Sequence, residues 1–219
     1  MILGSGQGRS IKVAMHPLSA TGVSPRIGFL VLEDTPRGLA VRPELPDLRP
    51  YGVGPGEHGL HVHSQGRLEP GQGASGPVPG LMAGEHFDPQ RTGHHRGPYA
   101  NGHLGDLPRI KVDTDGVPRT AVLAPRLMLD QILGRSIILH EGPDNYTDDP
   151  PNGGGARRAV GGVITDDCPY CPGSKNSVLK DNLLMLGFGA VVIGITAYFH
   201  LTDEDIALER KISSIRSGR

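Results

Sequence analysis

Histidines dominate the residues of this chain that could do chemistry. Residues 56–63 read GEHGLHVH, in which one residue separates His61 from His63. Side chains two residues apart in a β-strand point to the same face, so both imidazoles would face one way and Val62 the other. Two imidazoles on one face suit a transition metal. An isolated H-x-H pair is also typical of a half-buried strand with surface histidines. The positions of the other histidines therefore have to distinguish a metal site from such a strand.

Further histidines lie where loops could bring them to this strand. A long stretch rich in glycine and proline, 65–108, contains four of them and Asp106, and His140 ends a stretch that reads SIILH. The four are His86, His94, His95 and His103. Long loops in compact β domains are usually functional. Because several imidazoles and one carboxylate suit copper or zinc better than calcium or magnesium, the spacing predicts a metal site.

Eight stretches with strand-like alternation could position these side chains. They are 11–18, 26–34, 38–45, 58–64, 109–116, 119–125, 135–142 and 157–164. Eight short strands are typical of an all-β barrel or sandwich, and 33 glycines and 20 prolines agree with a fold rich in turns. Asp115-Gly116 predicts a hairpin turn, because glycine adopts positive φ without steric cost. A second long loop is predicted over 143–156.

The bulk composition excludes one class of partner. The 219 residues carry a formal net charge of -1, and no long run of lysine or arginine breaks this balance, so the sequence predicts no nucleic-acid interface. The two cysteines, Cys168 and Cys171, both lie outside the β-rich part, which therefore folds without an internal disulfide.

Three separated motifs in this order resemble the copper,zinc superoxide dismutases, and especially their bacterial branch. The motifs are GEHGLHVH, AGEHFDPQRTGHHRGPYANGHLGDLP and GRSIILHEGPDNYTDDPPNGGGAR, within a resemblance that runs from about residue 11 to residue 164. The resemblance implies an eight-stranded Greek-key β-barrel or sandwich. It also implies an enzyme that converts superoxide to dioxygen and hydrogen peroxide by cycling copper between Cu(II) and Cu(I).

The resemblance also implies two ligand sets that share one ring. The implied copper ligands are His61, His63, His86 and His140. The implied zinc ligands are His86, His95, His103 and Asp106, and zinc would be structural and electrostatic. His86 would bridge the two metals as an imidazolate and act in catalysis by taking up and releasing a proton. The family's spacing before Gly97-Pro98 selects His95 over its neighbour His94.

Two further roles follow from the resemblance. Asp144 matches a carboxylate that links a copper histidine to a zinc histidine and fixes their orientation, although a plain turn residue remains an alternative. Arg157 matches the arginine beside copper that attracts and positions the anionic substrate. Arg158 is a weaker candidate, and at most one of the two should face the copper because neighbouring strand residues point to opposite faces.

The chain departs from the family at its disulfide. Members usually tie the long loop to the last strand with a disulfide, whereas here the corresponding positions, near Leu68 and Val160, are apolar. We expect two aliphatic residues in place of the disulfide to pack together and retain part of the anchorage of the loop.

The C-terminal part lies beyond the resemblance. We divide the chain into an N-terminal extension (1–10), the dismutase-like domain (11–165), a linker with C-P-Y-C (166–181), a predicted transmembrane helix (182–200) and a charged tail (201–219). Residues 183–199 contain no charged side chain and would form a helix of about 26 Å, the short limit for crossing a bilayer. The C-P-Y-C cysteines fit an inert pair or simple disulfide, a redox pair or half of a zinc site.

The topology and the role of this anchor remain open. The basic residues of the tail favour a dismutase domain on the outer, periplasmic, intermembrane-space or lumenal side. The absence of a signal-peptide-like N-terminus favours the opposite, a tail-anchored protein with its domain in the cytosol. Two alternatives to a membrane-tethered enzyme are an accessory subunit of a larger membrane complex, such as a respiratory one, and a protein that binds or stores copper.

Overall fold

The computed structural model describes residues 8–166, which form short antiparallel strands and little helix. The strands are β1 (Ser10–Ser19), β2 (Gly22–Val23), β3 (Gly28–Thr35), β4 (Gly38–Glu44), β5 (Gly56–His58), β6 (Leu60–His63), β7 (Gly71–Gly73), β8 (Gly76–Val78), β9 (Ile110–Val112), β10 (Val122–Ala124), β11 (Ser136–His140) and β12 (Arg158–Val163). One short α-helix, α1 (Leu129–Ile132), and 3-10 turns at Arg49–Tyr51, Leu81–Ala83 and Pro151–Gly154 complete this part of the chain. The predicted all-β class is confirmed.

One curled sheet carries most of the described chain. Its strands follow the order β10-β4-β3-β1-β12-β11-β6, with β2 paired to the end of β1. Residues of β1 alternate between buried and half-buried, as expected for a strand with one face on a core. The last strand, β12, lies beside the first, so residues more than a hundred positions apart pair directly. The Greek-key order of the barrel stays a prediction.

All eight predicted strand stretches contain a strand of the structure. The prediction missed the short strands β2, β5, β7 and β8. Gly116 has the expected positive φ of 85°, and its N–H donates to Asp113 O at 2.9 Å. However, the strands on either side of this turn separate, because β9 pairs with β5 and β10 pairs with β4. The predicted turn is confirmed, and one antiparallel bridge, between Val112 and Pro118, makes it a very short hairpin before the two strands diverge.

Two apolar clusters hold the sheet and the long loop together. The larger cluster fills the interior with side chains such as Leu32, Val62 and Ile137, which are fully buried. The smaller cluster joins Leu68 of the long loop to residues of the sheet. Its buried members are Leu18, Leu68, Ala83 and Ile138. A Cβ built on Gly161 would lie 2.9 Å from Leu68 Cδ2, so Leu68 packs against Gly161, and the expected partner Val160 belongs to the larger cluster.

Several predictions fall on residues outside the described range. They are the C-P-Y-C linker, the transmembrane helix over 182–200 and the charged tail over 201–219. Among residues 8–166, no helix has the length and apolar character that crossing a membrane requires.

Candidate metal centre

Strand β6 supplies the first two histidines of the site. His61 and His63 are fully buried on the same face of the strand, while Leu60 and Val62 point into the larger apolar cluster. β6 pairs with β11, whose final residue is His140. The alternation predicted from H-x-H is therefore present, with the imidazoles pointing away from the hydrophobic core.

The long loop reaches the site because it pairs with β6. Val62 donates its N–H to Gly105 O and accepts that of Phe87, both at 2.8 Å. Isolated β-bridges join His61 to Asp106 and His63 to His86. Since β6 ends the order of paired strands in the sheet, its outer edge is open for the loop, and this pairing carries two distant loop residues to the histidines.

The first group of potential ligands matches the predicted copper set. Four buried histidines each contribute one ring nitrogen, and these four nitrogens all lie within 4.8 Å of one another. The histidines are His61, His63, His86 and His140. The Nε2 atoms of His63 and His140 are 3.4 Å apart. Nδ1 of His63 contacts Gly84 O at 2.8 Å, which leaves Nε2 of that ring for a metal.

The second group lies on the other side of His86. Nδ1 of His86 is 2.9 Å from Asp106 Oδ1, and Nδ1 of His95 is 3.0 Å from Asp106 Oδ2. His103 Nδ1 lies farther away, 3.5 Å from Asp106 Oδ1. Ligand atoms of His61, His86, His95 and Asp106 also lie within 4.8 Å of one another. His61 therefore borders both groups, and His103 sits at the edge of the second.

Unpaired buried atoms show that this donor set fits metal ions. Nδ1 of His61, His95 and His103 and Oδ2 of Asp106 are buried, and none of them has a contact with hydrogen-bond geometry, the 3.0 Å approach of His95 Nδ1 to Asp106 Oδ2 included. Buried polar atoms normally have partners, and an unsatisfied group costs about 1–3 kcal/mol. Two of these nitrogens, those of His95 and His103, lie beside Asp106, and Nδ1 of His61 lies in a residue of the first group. Imidazole nitrogen and carboxylate oxygen are ligands of zinc and copper, so a bound metal in each group would satisfy these atoms.

Asp144 lies between the two groups, as the sequence predicts. Its Oδ2 is 2.8 Å from His61 Nε2, and its Oδ1 is 2.8 Å from His95 Nε2. Each contact occupies Nε2 of the ring, which leaves Nδ1 of that ring as the nitrogen that would face a bound metal. The turn-residue alternative for Asp144 does not explain its complete burial.

Burial and neighbouring charge set the protonation states of these histidines. Burial, together with the nearby His61, lowers the pKa of His86 to about 3. Burial also lowers the pKa values of His63 and His140 well below 6.5, so both rings are neutral at pH 7. For His95, burial lowers the pKa, but the adjacent carboxylates of Asp106 and Asp144 outweigh it and raise the value to about 9. Neutral imidazoles are the form that binds metals, so His63, His86 and His140 are in that form at pH 7, whereas His95 has to release a proton when a metal binds.

The structure corrects the prediction for Arg157. The guanidinium of Arg157 turns away from the histidines and donates to Glu141 Oε2 and Tyr51 O, both at 2.9 Å. Arg158 instead lines a cavity of about 470 Å³ together with His86 and His140. The physical reason is a register shift between Leu139 and His140 that places Arg158 opposite His140. The expectation that only one of the two arginines faces the histidines is confirmed.

Sequence reasoning missed the backbone that holds Arg158. The guanidinium of Arg158 donates to Gly80 O at 2.7 Å and to Gly84 O at 2.9 Å. Gly84 O also contacts His63, so one carbonyl restrains both a ring of the first group and the arginine. Gly84 has φ 76°, and a Cβ there would collide with Ser64, so only glycine fits. The glycine two residues before His86 was the visible signal.

The neighbouring residues His94 and His95 lie in different environments. His95 is buried beside Asp106, as described above, whereas His94 is exposed and its Nδ1 lies 2.9 Å from Asp148 Oδ2. The structure therefore places His95, and not His94, among the potential ligands.

Comparison with known proteins identifies relatives of the chain. Residues 28–164 match the copper/zinc superoxide dismutase (SODC) family. A copper–zinc superoxide dismutase of Salmonella typhimurium is 43% identical over 160 residues, which cover 72% of this chain and 90% of that protein. One from Escherichia coli is 42% identical over 160 residues, with the same coverage of 72% and 90%.

Solved structures show the same similarity. The Cu/Zn superoxide dismutase from Brucella abortus aligns with a TM-score of 0.67 and 40% identity, covering 71% of this chain and 99% of that one. The solution structure of the monomeric copper, zinc superoxide dismutase from Salmonella enterica aligns with a TM-score of 0.63 and 42% identity, covering 72% of this chain and 100% of that one.

Proposed function

The chain belongs to the copper/zinc superoxide dismutase family and is an enzyme of that type, and on this basis we propose how its own residues carry out the reaction. Two superoxide ions and two protons give one dioxygen and one hydrogen peroxide. Copper and zinc are the cofactors of the family. When bound, copper supplies a one-electron redox couple and zinc a fixed positive charge.

The two groups of side chains divide between the metals. We assign copper to His61, His63, His86 and His140, and zinc to His86, His95, His103 and Asp106. His103 belongs to the zinc set because its Nδ1 is buried and unpaired near Asp106. His61 belongs to the copper set because Asp144 occupies its Nε2 and turns its Nδ1 the other way.

Arg158 attracts and positions the substrate. Its guanidinium is fixed by two backbone carbonyls at the wall of the cavity that contains His86 and His140. A fixed positive charge in a cleft raises the local concentration of an anion, and the planar fork of donors suits a small diatomic oxygen species.

His86 handles a proton in the cycle. Its Nδ1 points to Asp106 in the zinc set, and the other ring nitrogen, Nε2, remains for the copper set. Because burial disfavours the charged ring, His86 holds a proton at Nε2 only transiently and gives it up to the reduced substrate in the cavity. Asp106 keeps the ring oriented while the proton moves.

One observation carries this proposal. His86 lies between the two groups, with its ring centroid 4.0 Å from that of His61 and 5.6 Å from that of His103. A ring in contact with both sets is what a shared ligand requires. A copper-binding or storage protein would need no arginine at the cavity wall, so the position of Arg158 favours the enzyme.

The test combines metal analysis with a superoxide decay assay. Purified full-length protein loaded with copper and zinc should bind one of each per chain and remove superoxide at a rate that falls with increasing salt. Bound metal without turnover would support storage and contradict the proposal.

Tethering to a membrane is a further part of the proposal. The uncharged residues 183–199 support a span over 182–200, which would hold the dismutase domain at a lipid bilayer or within a larger membrane complex. Membrane fractions washed with high salt and carbonate should retain the full chain and release a chain that ends at residue 166. Release of both chains would contradict tethering. Co-purification of other subunits in mild detergent would support the accessory role.

A further inference from the structure

The side chain of Tyr146 connects three segments around the metal centre. Its phenol oxygen accepts the backbone N–H of Arg109 at 2.9 Å, and its ring centroid lies 4.8 Å from Arg109 Cζ. The ring also covers Gly97 of the long loop, where a Cβ would lie only 2.6 Å from ring carbons. Tyr146 therefore links the loop over 143–156 to the long loop and to the segment that leads into β9.

Arg109 is fixed at the other end of this contact. Its Nη1 forms an ion pair with Glu57 Oε2 at 2.9 Å and donates to the backbone carbonyl of Asp144 at 3.3 Å. Glu57 lies in β5, which pairs with β9 immediately after Arg109. The guanidinium thus restrains Asp144 from a part of the fold that strand pairing holds in place.

Tyr146 also restrains the carboxylate of Asp144 directly. The N–H of Tyr146 donates to Asp144 Oδ1 at 2.8 Å, the same oxygen that contacts His95. This bond requires Tyr146 to adopt φ 60°, in the left-handed region that few non-glycine residues occupy. The ring contacts with Gly97 and Arg109 stabilise a backbone conformation that the sequence alone does not favour.

We propose that Tyr146 and Arg109 are positioning residues for the zinc site, which act through Asp144. Together they hold its backbone carbonyl and its carboxylate, so that Oδ1 stays aimed at His95 and Nδ1 of that ring faces the zinc set. Neither residue lines the cavity that contains Arg158, His86 and His140. The inference rests on the zinc set proposed above.

The physical basis is the orientation of a ligand by its hydrogen-bond partner. Removing an outer partner of a ligating histidine typically lowers metal affinity or activity about 10- to 100-fold. A substitution of Tyr146 keeps its backbone N–H and removes only the ring contacts that stabilise the conformation in which this N–H reaches Asp144 Oδ1, so the effect should lie at the lower end of that range.

The test measures zinc release from the full chain loaded with copper and zinc, mixed with an excess of a coloured zinc chelator. Tyr146→Asn removes the ring and keeps a residue that tolerates the left-handed backbone. Tyr146→Phe removes only the hydroxyl. Tyr99→Asn is the matched control, because Tyr99 lies in the long loop and is 70% exposed. Cobalt in place of zinc adds an absorption spectrum that reports ligand geometry.

We expect Tyr146→Asn to release zinc about tenfold faster and to change the cobalt spectrum, Tyr146→Phe to show a smaller acceleration, and Tyr99→Asn to match the unmodified chain. Release at the unmodified rate from Tyr146→Asn, with an unchanged cobalt spectrum, would overturn the inference. If that variant does not fold, unchanged release from both Tyr146→Phe and Arg109→Lys overturns it equally. An unmodified chain that binds no zinc would instead refute the proposed zinc set.

Discussion

The two adjacent arginines differ in whether their side chain lines the cavity beside the histidines. Arg158 lines the cavity with two histidines, while Arg157 pairs with Glu141 on the outside. The sequence predicted that only one arginine faces the site, because strand residues alternate. It pointed to the wrong one because a register shift at the end of β11 is set by pairing that a sequence pattern does not reveal.

Neutralising each arginine in turn tests this assignment. We expect Arg158→Gln to lower kcat/KM for superoxide about tenfold or more and to weaken its salt dependence, because steering by fixed charge contributes 10- to 1000-fold to association rates. Arg157→Gln is the matched control and should change kcat/KM less than twofold. The rate of superoxide decay, recorded at several ionic strengths, gives kcat/KM and its salt dependence for each variant. A larger loss from Arg157→Gln would contradict the assignment.

Asp144 is the second residue with a separable role. Because its two oxygens contact His61 and His95, we expect Asp144→Ala to lower zinc affinity about 10- to 100-fold while the chain still folds. Competition with a chelator of known affinity measures the change. Asp115→Ala, in an exposed turn, serves as the control. Equal zinc affinity in the two variants would show that Asp144 is only a turn residue.

The pKa values of the histidines predict how pH affects the metal-free protein. The folded pKa of His86, about 3, lies below the usual 6.5, so the unfolded chain binds more protons between these values. Stability should therefore fall as the pH decreases from 6.5, and the lowered pKa values of His63 and His140 act in the same direction. His95, with a pKa of about 9, adds stability that is complete below 6.5 and lost as the pH rises towards 9.

Urea denaturation of chelator-treated protein at pH 5, 6.5 and 9 measures this dependence. The free energy of unfolding should be lower at pH 5 than at pH 6.5. In His86→Gln the decrease between these two values should be smaller. A metal-free chain that is more stable at pH 5 than at pH 6.5 would contradict the lowered pKa values.

At the scale of elements, the positions of the strands were easier to predict than the pairing between them. Alternation located all eight main strands, because burial of one face leaves a period of two in the sequence. It did not locate the short strands or show that the two strands flanking Gly116 join different sheets. Those features depend on contacts between distant segments, such as the pairing of β5 with β9.

The anchorage of the long loop is another property of elements. Leu68 packs against Gly161 and joins Leu18 and Ile138, in a cluster beside the segment that holds Arg158. Residues 8–166 contain no cysteine, so this apolar contact takes the place that a disulfide has in the family. The sequence indicated the substitution but chose Val160 as the partner, one residue from the position that Leu68 touches.

Truncating Leu68 tests how much this contact contributes. We expect Leu68→Ala to lower the free energy of unfolding by about 2–4 kcal/mol, from lost burial and a new cavity. Met82→Ala, in the same loop but exposed, should change it by less than about 0.5 kcal/mol. Denaturant unfolding of the metal-free variants measures the two free energies of unfolding. Equal effects of the two substitutions would show that the cluster does not anchor the loop.

At the scale of the whole described domain, the fold gathers ligands from distant parts of the chain. Residues from His61 to His140 meet only because β6, β11 and the long loop pair with one another. The resemblance to a family indicated which residues meet, whereas spacing alone predicted a metal site without its division into two groups. The structure adds the reason for that division, which is the position of His86 and Asp144 between the groups.

The central claim is that His86 is shared by two metals, and electron paramagnetic resonance tests it most directly. In the full chain with Cu(II) in the copper set and Co(II) in the zinc set, a common imidazole ring should couple the two ions and abolish the isolated Cu(II) signal. Removing the Co(II), or replacing it with diamagnetic Zn(II), should restore that signal. An ordinary, uncoupled Cu(II) spectrum with both sites filled would contradict the account.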